Sequence, residues 1–509
     1  MTSGHLEIET KYDVDGDFEL PALDGLDGVA SVGRPVEYGL EAVYHDTDDL
    51  RLLRARVTLR RRTGGPDAGW HLKLPAGAAR REVHAPLGRA SSEPPEAVIA
   101  PVAGILRSAR TAPVATVRTR RMVTSLLDAD GHVLVEVADD TVTATAFAGG
   151  AGRPAEVHTW REVEVELGDG DAALAAAVGE RLTAAGARSS ASPSKVGRVL
   201  AGRLAGEARA GTEKGQNGAG QFVLAALRDH LADLQAADVL LRTEQPDAVH
   251  QVGVAARRLR STLTAFRPVL DRDATRPLRD ELAWLGRQLA EAREGEVALT
   301  HLRTVVAAEP EELVLGPVAA RLQQLQLRGE RAGLDRALDT VSEPRYLALL
   351  DALHDLMAAP PFTDRAADPL EPVLRDAVRR AVRRLRRRMA AARRAADAAR
   401  DEALHAVRTA AERVRYATEI AAPELGRAKQ VVRSAKRIQR VLGEVRDTVV
   451  TRELCRRCGV VAFAEGENGF TFGRLHALEQ ARAERAEHTY WAFESRVRRV
   501  LKDATRRAS

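Results

Sequence analysis

HLEIETKYDV, residues 5–14, is the stretch on which the fold turns. Read as a strand, it places Leu6, Ile8 and Thr10 on one face and Glu7, Glu9 and Lys11 on the other, because strand side chains alternate with period two. Two carboxylates and an ammonium in a row describe either the solvated side of a sheet or the wall of a polar tunnel. The strands that follow carry the same ambiguity. Arg60 and Arg62 share a face of VTLRRRT (57–63), and His71 and Lys73 alternate with Trp70, Leu72 and Leu74 in GWHLKLP (69–75). Glu162, Glu164 and Glu166 lie on one side of TWREVEVEL (159–167). Arg81, Arg118, Arg120 and Glu136 add to the set. A small barrel can face such charge inward only if it meets something, since buried unpaired charge costs several kcal/mol per ion. Carboxylates among Lys and Arg in one cavity suit a metal–polyanion complex: oxygen ligands take hard Mg²⁺ or Mn²⁺, and basic groups take phosphate oxygens.

The first half reads as antiparallel strands joined by turns. GGPDA (64–68) links two of them, and DADG (128–131) divides TVRTRRMVTSLLDADGHVLVEVADDTVTATAF (116–147). Short helices are expected within 93–109 and 171–186. The pattern predicts a meander or barrel. GRLAGEARAGTEKGQNGAG (202–220) is rich in Gly and polar residues and reads as a linker. Beyond it Ala, Leu and Arg dominate and apolar residues recur every three or four. Helices are predicted over 221–242, 246–270, 274–304, 311–339, 343–358, 370–396, 401–422, 426–456 and 471–504. The expected architecture is α+β: an antiparallel β-tunnel of about eight strands in 1–203, a linker over 204–220, and an all-α bundle of two pseudo-symmetric four-helix halves in 221–509.

The helical half repeats itself. VHQVGVAARRLRSTLTAF (249–266) aligns with LHAVRTAAERVRYATEIA (404–421), matching His250 to His405, Arg258 to Arg413 and Arg260 to Arg415. The helices that follow align as well, Leu289 with Leu442 and Arg293 with Arg446. Two copies of one helical unit predict a pseudo-symmetric bundle. His250, Arg257 and Arg260 share one helical face, as do His405, Arg408 and Arg415. RDAVRRAVRRLRRRMAAARR (375–394) carries ten arginines, with Arg379, Arg383 and Arg387 spaced i, i+4, i+8. Like charges at that spacing weaken a helix, so the stripe is better explained if an anion offsets the repulsion.

A chain of 509 residues exceeds one ordinary core and predicts two or more domains. The net charge of +5 hides an asymmetry. Residues 1–203 hold 24 basic and 29 acidic side chains; the remainder hold 53 and 43. A basic half suggests an anionic partner. Nucleic acid is disfavoured, because aromatic residues make up only 4% of the chain and none interleave with the arginines to stack bases. No apolar run long enough to span a membrane and no secretory signal are visible, so a cytoplasmic location is expected. Cys455 and Cys458 form a lone C-x-x-C; with neither a second ligand pair nor a strand–helix context, they read as two thiols near a helix end.

EIETK (7–11) resembles the E-x-E-x-K signature of the CYTH family, the triphosphate tunnel metalloenzymes. The resemblance is ordered along the chain. It continues through YHDTDDLRLLRARVTLRRR (44–62), WHLKLP, RRE (80–82), VRTRR (117–121), VLVEVADDTV (133–142), EVEVEL (162–167) and SK (194–195). It implies an eight-stranded tunnel that binds triphosphate, in a family including inorganic triphosphatases, thiamine triphosphatases and class IV adenylate cyclases. It further implies that Glu7, Glu9, Glu164 and Glu166 hold Mg²⁺ or Mn²⁺. Lys11, Arg60, Arg62, Lys73, Arg81, Arg118, Arg120 and Lys195 would hold phosphates, with Arg120 or Arg121 facing inward according to register. Lys11, Arg60 and Glu136 are assigned to the chemical step, with Glu136 also an acidic tunnel residue open to metal. The implied reaction is phosphoanhydride hydrolysis.

The helical repeat resembles the CHAD domain, which implies polyphosphate binding by His250, Arg257, Arg258, Arg260, Arg293, His405, Arg408, Arg413, Arg415 and Arg446; the stripe adds Arg379, Arg383 and Arg387. Gly253 and Glu412 stand where the pattern carries basic residues, and REGE (293–296) replaces R-D-x-D. The combined expectation is a metal-dependent triphosphatase carrying a polyphosphate-binding module, with polyphosphate granules as an implied location. The alternative is a non-catalytic polyphosphate-binding scaffold.

Overall fold

The opening segment joins both ends of one sheet. In the computed structural model, residues 3–77, 79–88, 93–147, 156–210, 218–422 and 428–506 are described. β1 (Ser3–Glu7) and β2 (Glu9–Val14) are separated only by Ile8. β3 is Ser31–Val32, β4 Val36–Asp46, β5 Thr58–Thr63, β6 Gly69–Ala76 and β7 Ala79–Pro86. β8 is Ala112–Leu127, β9 Val133–Ala146, β10 Glu156–Leu167 and β11 Arg188–Ser189. The order is β1-β7-β6-β5-β4-β8-β9-β10-β2-β11, antiparallel throughout, with β3 on β8. Because β1 pairs with β7 at one end and β2 with β10 at the other, one nearly continuous strand closes the sheet into a tunnel. Counting β1 and β2 as that strand, and setting aside the two-residue β3 and β11, leaves eight staves among the described residues.

Alternation then assigns the faces. Val135 and Val137 of β9 and Val163 and Val165 of β10 point outward and are buried beneath Leu174, Val178 and Leu182. Those leucines and valine belong to α4, numbered after α1 (Arg51–Arg54), α2 (Glu96–Ile99) and α3 (Ala103–Leu106) and spanning Ala172–Ala184. Asp171 caps α4 by accepting from the Leu174 N–H at 2.8 Å. With the apolar outer faces of β9 and β10 covered, the charged residues between them must face inward. Beyond the polar stretch an apolar cluster that includes Ala42, Val117, Val142 and Ala144 fills the interior. It packs on Val196 and Val199 of α5 (Lys195–Val199), whose cap Ser194 accepts from the Gly197 N–H at 3.1 Å.

α6 (Ala201–Ala210) extends helix into the expected linker, since Ala, Leu and Arg outweigh its glycines; residues 211–217 lie outside the described residues. The chain divides into two compact units, Met1–Glu213 and Lys214–Ser509. The second unit is helical. It comprises α7 (Ala219–Arg242), α8 (Ala248–Ala265), α9 (Arg276–Ala307), α10 (Val318–Ser342), α11 (Pro344–Ala358), α12 (Leu370–Ala392), α13 (Asp397–Ile420), α14 (Ala428–Ala464) and α15 (Phe470–Arg506). α7–α10 and α12–α15 each pack neighbour on neighbour, and the repeat helices α8 and α13 touch. The helix predicted from 311 begins only at Val318. Gly316 takes φ +81° and Pro317 follows it, which breaks the pattern after a short turn at Glu311–Leu313.

Cys455 and Cys458 lie inside α14, which runs to Ala464 rather than ending near 456; both are free thiols packed in an apolar cluster. Burial pushes the Cys455 thiol up to about 12 and raises that of Cys458. Both are expected to resist alkylation at about pH 8 in the folded protein and to react once it is denatured, because the thiolate is the nucleophile. Rapid labelling of the folded chain would contradict this packing. Among the described residues no helix is long and apolar enough to cross a membrane.

Candidate functional site

A cavity of about 400 Å³ runs inside the tunnel. β1 and β2 contribute Glu7, Glu9 and Lys11; β5 and β6 contribute Arg60, Arg62 and Lys73. Glu136 of β9, Glu164 and Glu166 of β10, and Lys195 at the start of α5 complete the predicted residues that line it. Arg81, Arg118 and Arg120 do not. Each is one position out of phase: Arg80 and Glu82 face the cavity on β7, and Arg121 faces it on β8. Arg118 instead sits on the outer surface, 72% exposed, donating to Glu41 at 2.9 Å, and Arg120 is exposed. Tyr38, Tyr44, His71 and His84 also line the cavity. The sequence alone leaves the phase of β8 open, because Arg118, Arg120 and Arg121 put a cation in either phase.

Two charge networks divide the cavity. In the first, the Lys195 ammonium lies 2.9 Å from Asp140, 2.6 Å from Glu162 and 2.7 Å from Glu164. Arg121 donates to Asp140 at 2.8 and 2.6 Å and also to Glu164, while Lys11 bonds Glu9 at 3.0 Å and Glu164. Burial alone would raise the Glu164 carboxyl, but Lys11, Lys195 and Arg121 hold it well below its usual value. Burial likewise opposes the charge of Lys195, which the three carboxylates hold well above its usual value. Ligand oxygens of Asp140, Glu162 and Glu164 lie within 4.8 Å of one another, so they form a cation site that Lys195 itself fills.

The second network is unbalanced at both poles. Glu7 takes Lys73 at 2.6 Å. Burial, together with the Glu7, Glu9 and Glu164 charges, pushes the Glu166 carboxyl up to about 7 against Lys73. Glu7, Glu9 and Glu166 gather carboxylate oxygens at this pole, the donor type that a hard divalent cation takes. Across the cavity the excess is positive. Burial and the Arg60 and Arg121 charges push Arg62 down to about 9 although its guanidinium pairs with Asp67, and the Nε atoms of Arg60 and Arg62 are buried without a hydrogen-bond partner. Tyr44 has its phenol lowered, against burial, by Arg60, Lys195 and Lys73. Buried donors without acceptors are costly, so this pole is shaped for an anion.

The helical unit carries a second cavity of about 660 Å³. Arg383, Arg387 and Arg413 of the predicted set line it, joined by Arg267, Arg380, Arg384, Arg386 and Arg498. Burial and neighbouring guanidiniums lower Arg384 and Arg413 below the usual arginine value. The remaining predicted residues lie elsewhere, because α8 and α13 pack on each other and spend much of their charge on local partners. Arg257 meets Glu412 at 3.5 Å, and Arg260 feels the same carboxylate. Arg258 meets Asp233 at 3.3 Å, Arg379 meets Asp376 at 3.5 Å, and Arg415 lies 4.4 Å over the Tyr416 ring. Arg408 offsets the burial of Asp447. His405 and Arg446 share a separate pocket of about 320 Å³, His250 is half-buried on α8, and the Arg293 side chain lies outside the described residues.

Residues 5–199 match the CYTH domain and residues 225–456 the CHAD domain. Uncharacterized protein MT2285 of Mycobacterium tuberculosis is 36% identical over 510 residues, covering 98% of each chain. The chain therefore belongs to the family of proteins that join a CYTH domain to a CHAD domain. Among solved structures, PptA from Streptomyces chartreusis is 22% identical, with a TM-score of 0.47 over 54% of this chain and 99% of its own. The CHAD domain of Ricinus communis is 22% identical, with a TM-score of 0.41 over 58% of this chain and 92% of its own.

Proposed function

We propose that the tunnel hydrolyses a phosphoanhydride bond of inorganic triphosphate or a related triphosphate, and that the arginine groove of the helical unit binds polyphosphate. The observation that carries this reading is the opposition, inside one cavity, of a cluster of carboxylates to a guanidinium pole in which the buried Nε atoms of Arg60 and Arg62 lack acceptors. CYTH membership supports it. Glu7, Glu9 and Glu166 would hold a divalent cation, Mg²⁺ or Mn²⁺, with Glu136 beside them; Glu164 is committed to Lys11, Lys195 and Arg121. When bound, the cation supplies charge neutralisation and lowers the pKa of a coordinated water.

The chain's own residues do the remaining work. Arg60 and Arg62 bind phosphoryl oxygens and fix the terminal phosphorus against the acidic pole, beside Arg121, which Asp140 and Glu164 hold. Lys73, between Glu7 and Glu82, bridges the poles. Positioning and a fixed field supply most of the rate, because these groups are buried and already oriented. A purely binding role is favoured by the groove alone, which needs no chemistry.

The two readings separate on phosphate release from tripolyphosphate after all divalent metal is chelated and then restored as Mg²⁺ or Mn²⁺. Release only after restoration is expected. A full rate in chelator would overturn the metal assignment.

A further inference from the structure

Beside the guanidinium pole sits a histidine pair that the reading above does not use. Arg60, His71 and His84 are register partners across β5, β6 and β7, and Arg62 lies opposite Gly69 one step along. The two imidazoles are 4.8 Å apart. His71 is 2% exposed and its nitrogens are both engaged, Nδ1 with the Glu82 carboxylate and Nε2 with the Asp67 carbonyl oxygen at 2.9 Å. It is a fixed wall.

His84 is different. Its side chain lines the cavity, yet its Nε2 is buried over Gly69 with no hydrogen-bond partner. A β-carbon at position 69 would collide with that nitrogen, so the glycine is what leaves room for the ring. The orphaned nitrogens of Arg60, Arg62 and His84 thus belong to residues that surround one patch of wall, the backbone at Gly69. An unpaired buried nitrogen is unfavourable, and rotation of a histidine ring about Cβ–Cγ is soft.

We propose that His84 is a phosphate-contacting residue: its ring turns from Gly69 into the cavity and donates an N–H to an oxygen of the terminal phosphoryl group held by Arg60 and Arg62. The proposal rests on the tunnel being a triphosphate site. It makes His84 a determinant of affinity rather than of the chemical step.

The test compares wild type, His84→Ala and His84→Gln. Initial rates are measured on tripolyphosphate with Mg²⁺, and calorimetric binding of tripolyphosphate is measured without metal. His84→Ala is expected to raise KM and Kd by about ten-fold, the loss of one hydrogen bond to a charged group, with kcat within about two-fold. His84→Gln, which keeps an N–H donor, is expected to recover most of the loss. An unchanged KM in His84→Ala overturns the proposal, and so does a loss confined to kcat. If wild type binds tripolyphosphate without hydrolysing it, the hydrolysis reading falls, and the calorimetric ratio alone decides on His84. If wild type neither binds nor hydrolyses it, both fall.

Discussion

Replacing Lys195 by Met is expected to destabilise the tunnel unit by about 3–5 kcal/mol, the usual cost of removing one partner from a buried ion network. Lys195 is 8% exposed, and its ammonium is the group that lies against Asp140, Glu162 and Glu164 together. Asp140 is fully buried and Glu162 and Glu164 nearly so. Without the ammonium, three carboxylates share Arg121 and Lys11, and the excess charge has no route to water. Hydrogen exchange at the amides of β9 and β10, which carry those carboxylates, reads the effect where it arises. Unchanged protection there would mean that Lys195 is not the counter-charge of the cluster.

The second large effect belongs to the groove. The double variant Arg383→Glu, Arg387→Glu is expected to weaken polyphosphate binding by about a hundred-fold or more at low salt. It is also expected to flatten the salt dependence, because fewer cations are then available to displace counter-ions from the polyanion. Both arginines line the cavity one helical turn apart, among others that already repel one another. Arg118→Glu, on the outer face of the tunnel and paired with Glu41, is the control and should leave binding unchanged. Equal affinity of wild type and the double variant would show that polyphosphate is not held in this groove. Displacement of bound polyphosphate by RNA at similar concentration would move the groove toward nucleic acid.

Much of this was legible in the sequence, for reasons that differ by element. The tunnel wall was readable because Glu7, Glu9 and Lys11 alternate with Leu6, Ile8 and Thr10, and alternation survives folding. What alternation cannot supply is phase. On β8 the run Arg118-Thr119-Arg120-Arg121 offers a cation in either phase, and the buried Val117 selects Arg121 only once the interior plug is known. On β7 Arg80 and Arg81 pose the same choice, settled by Glu82 facing His71.

The capture of Glu164 by Lys195 was not legible, because α5 and β10 are brought together only by closure of the sheet. In the helical unit the periodicity of α12 exposed its arginine stripe. Arg267 and Arg498 come to the same cavity from beyond α8 and from α15, by tertiary packing that no local pattern encodes. The sequence showed a His–Arg face on each repeat helix but not that α8 packs on α13, where Glu412 meets Arg257.

The most direct measurement is phosphate release from tripolyphosphate in Mg²⁺ or Mn²⁺, comparing wild type with Glu7→Gln. Glu7 is buried in the acidic pole, and the substitution keeps its shape while removing one ligand charge. Metal-dependent release by wild type, reduced about a hundred-fold or more in Glu7→Gln, is the predicted result, in line with the loss of a ligand at a metal site. Equal release by both proteins, or none by wild type while polyphosphate still binds, would contradict the assignment of the tunnel as a metal-dependent triphosphatase.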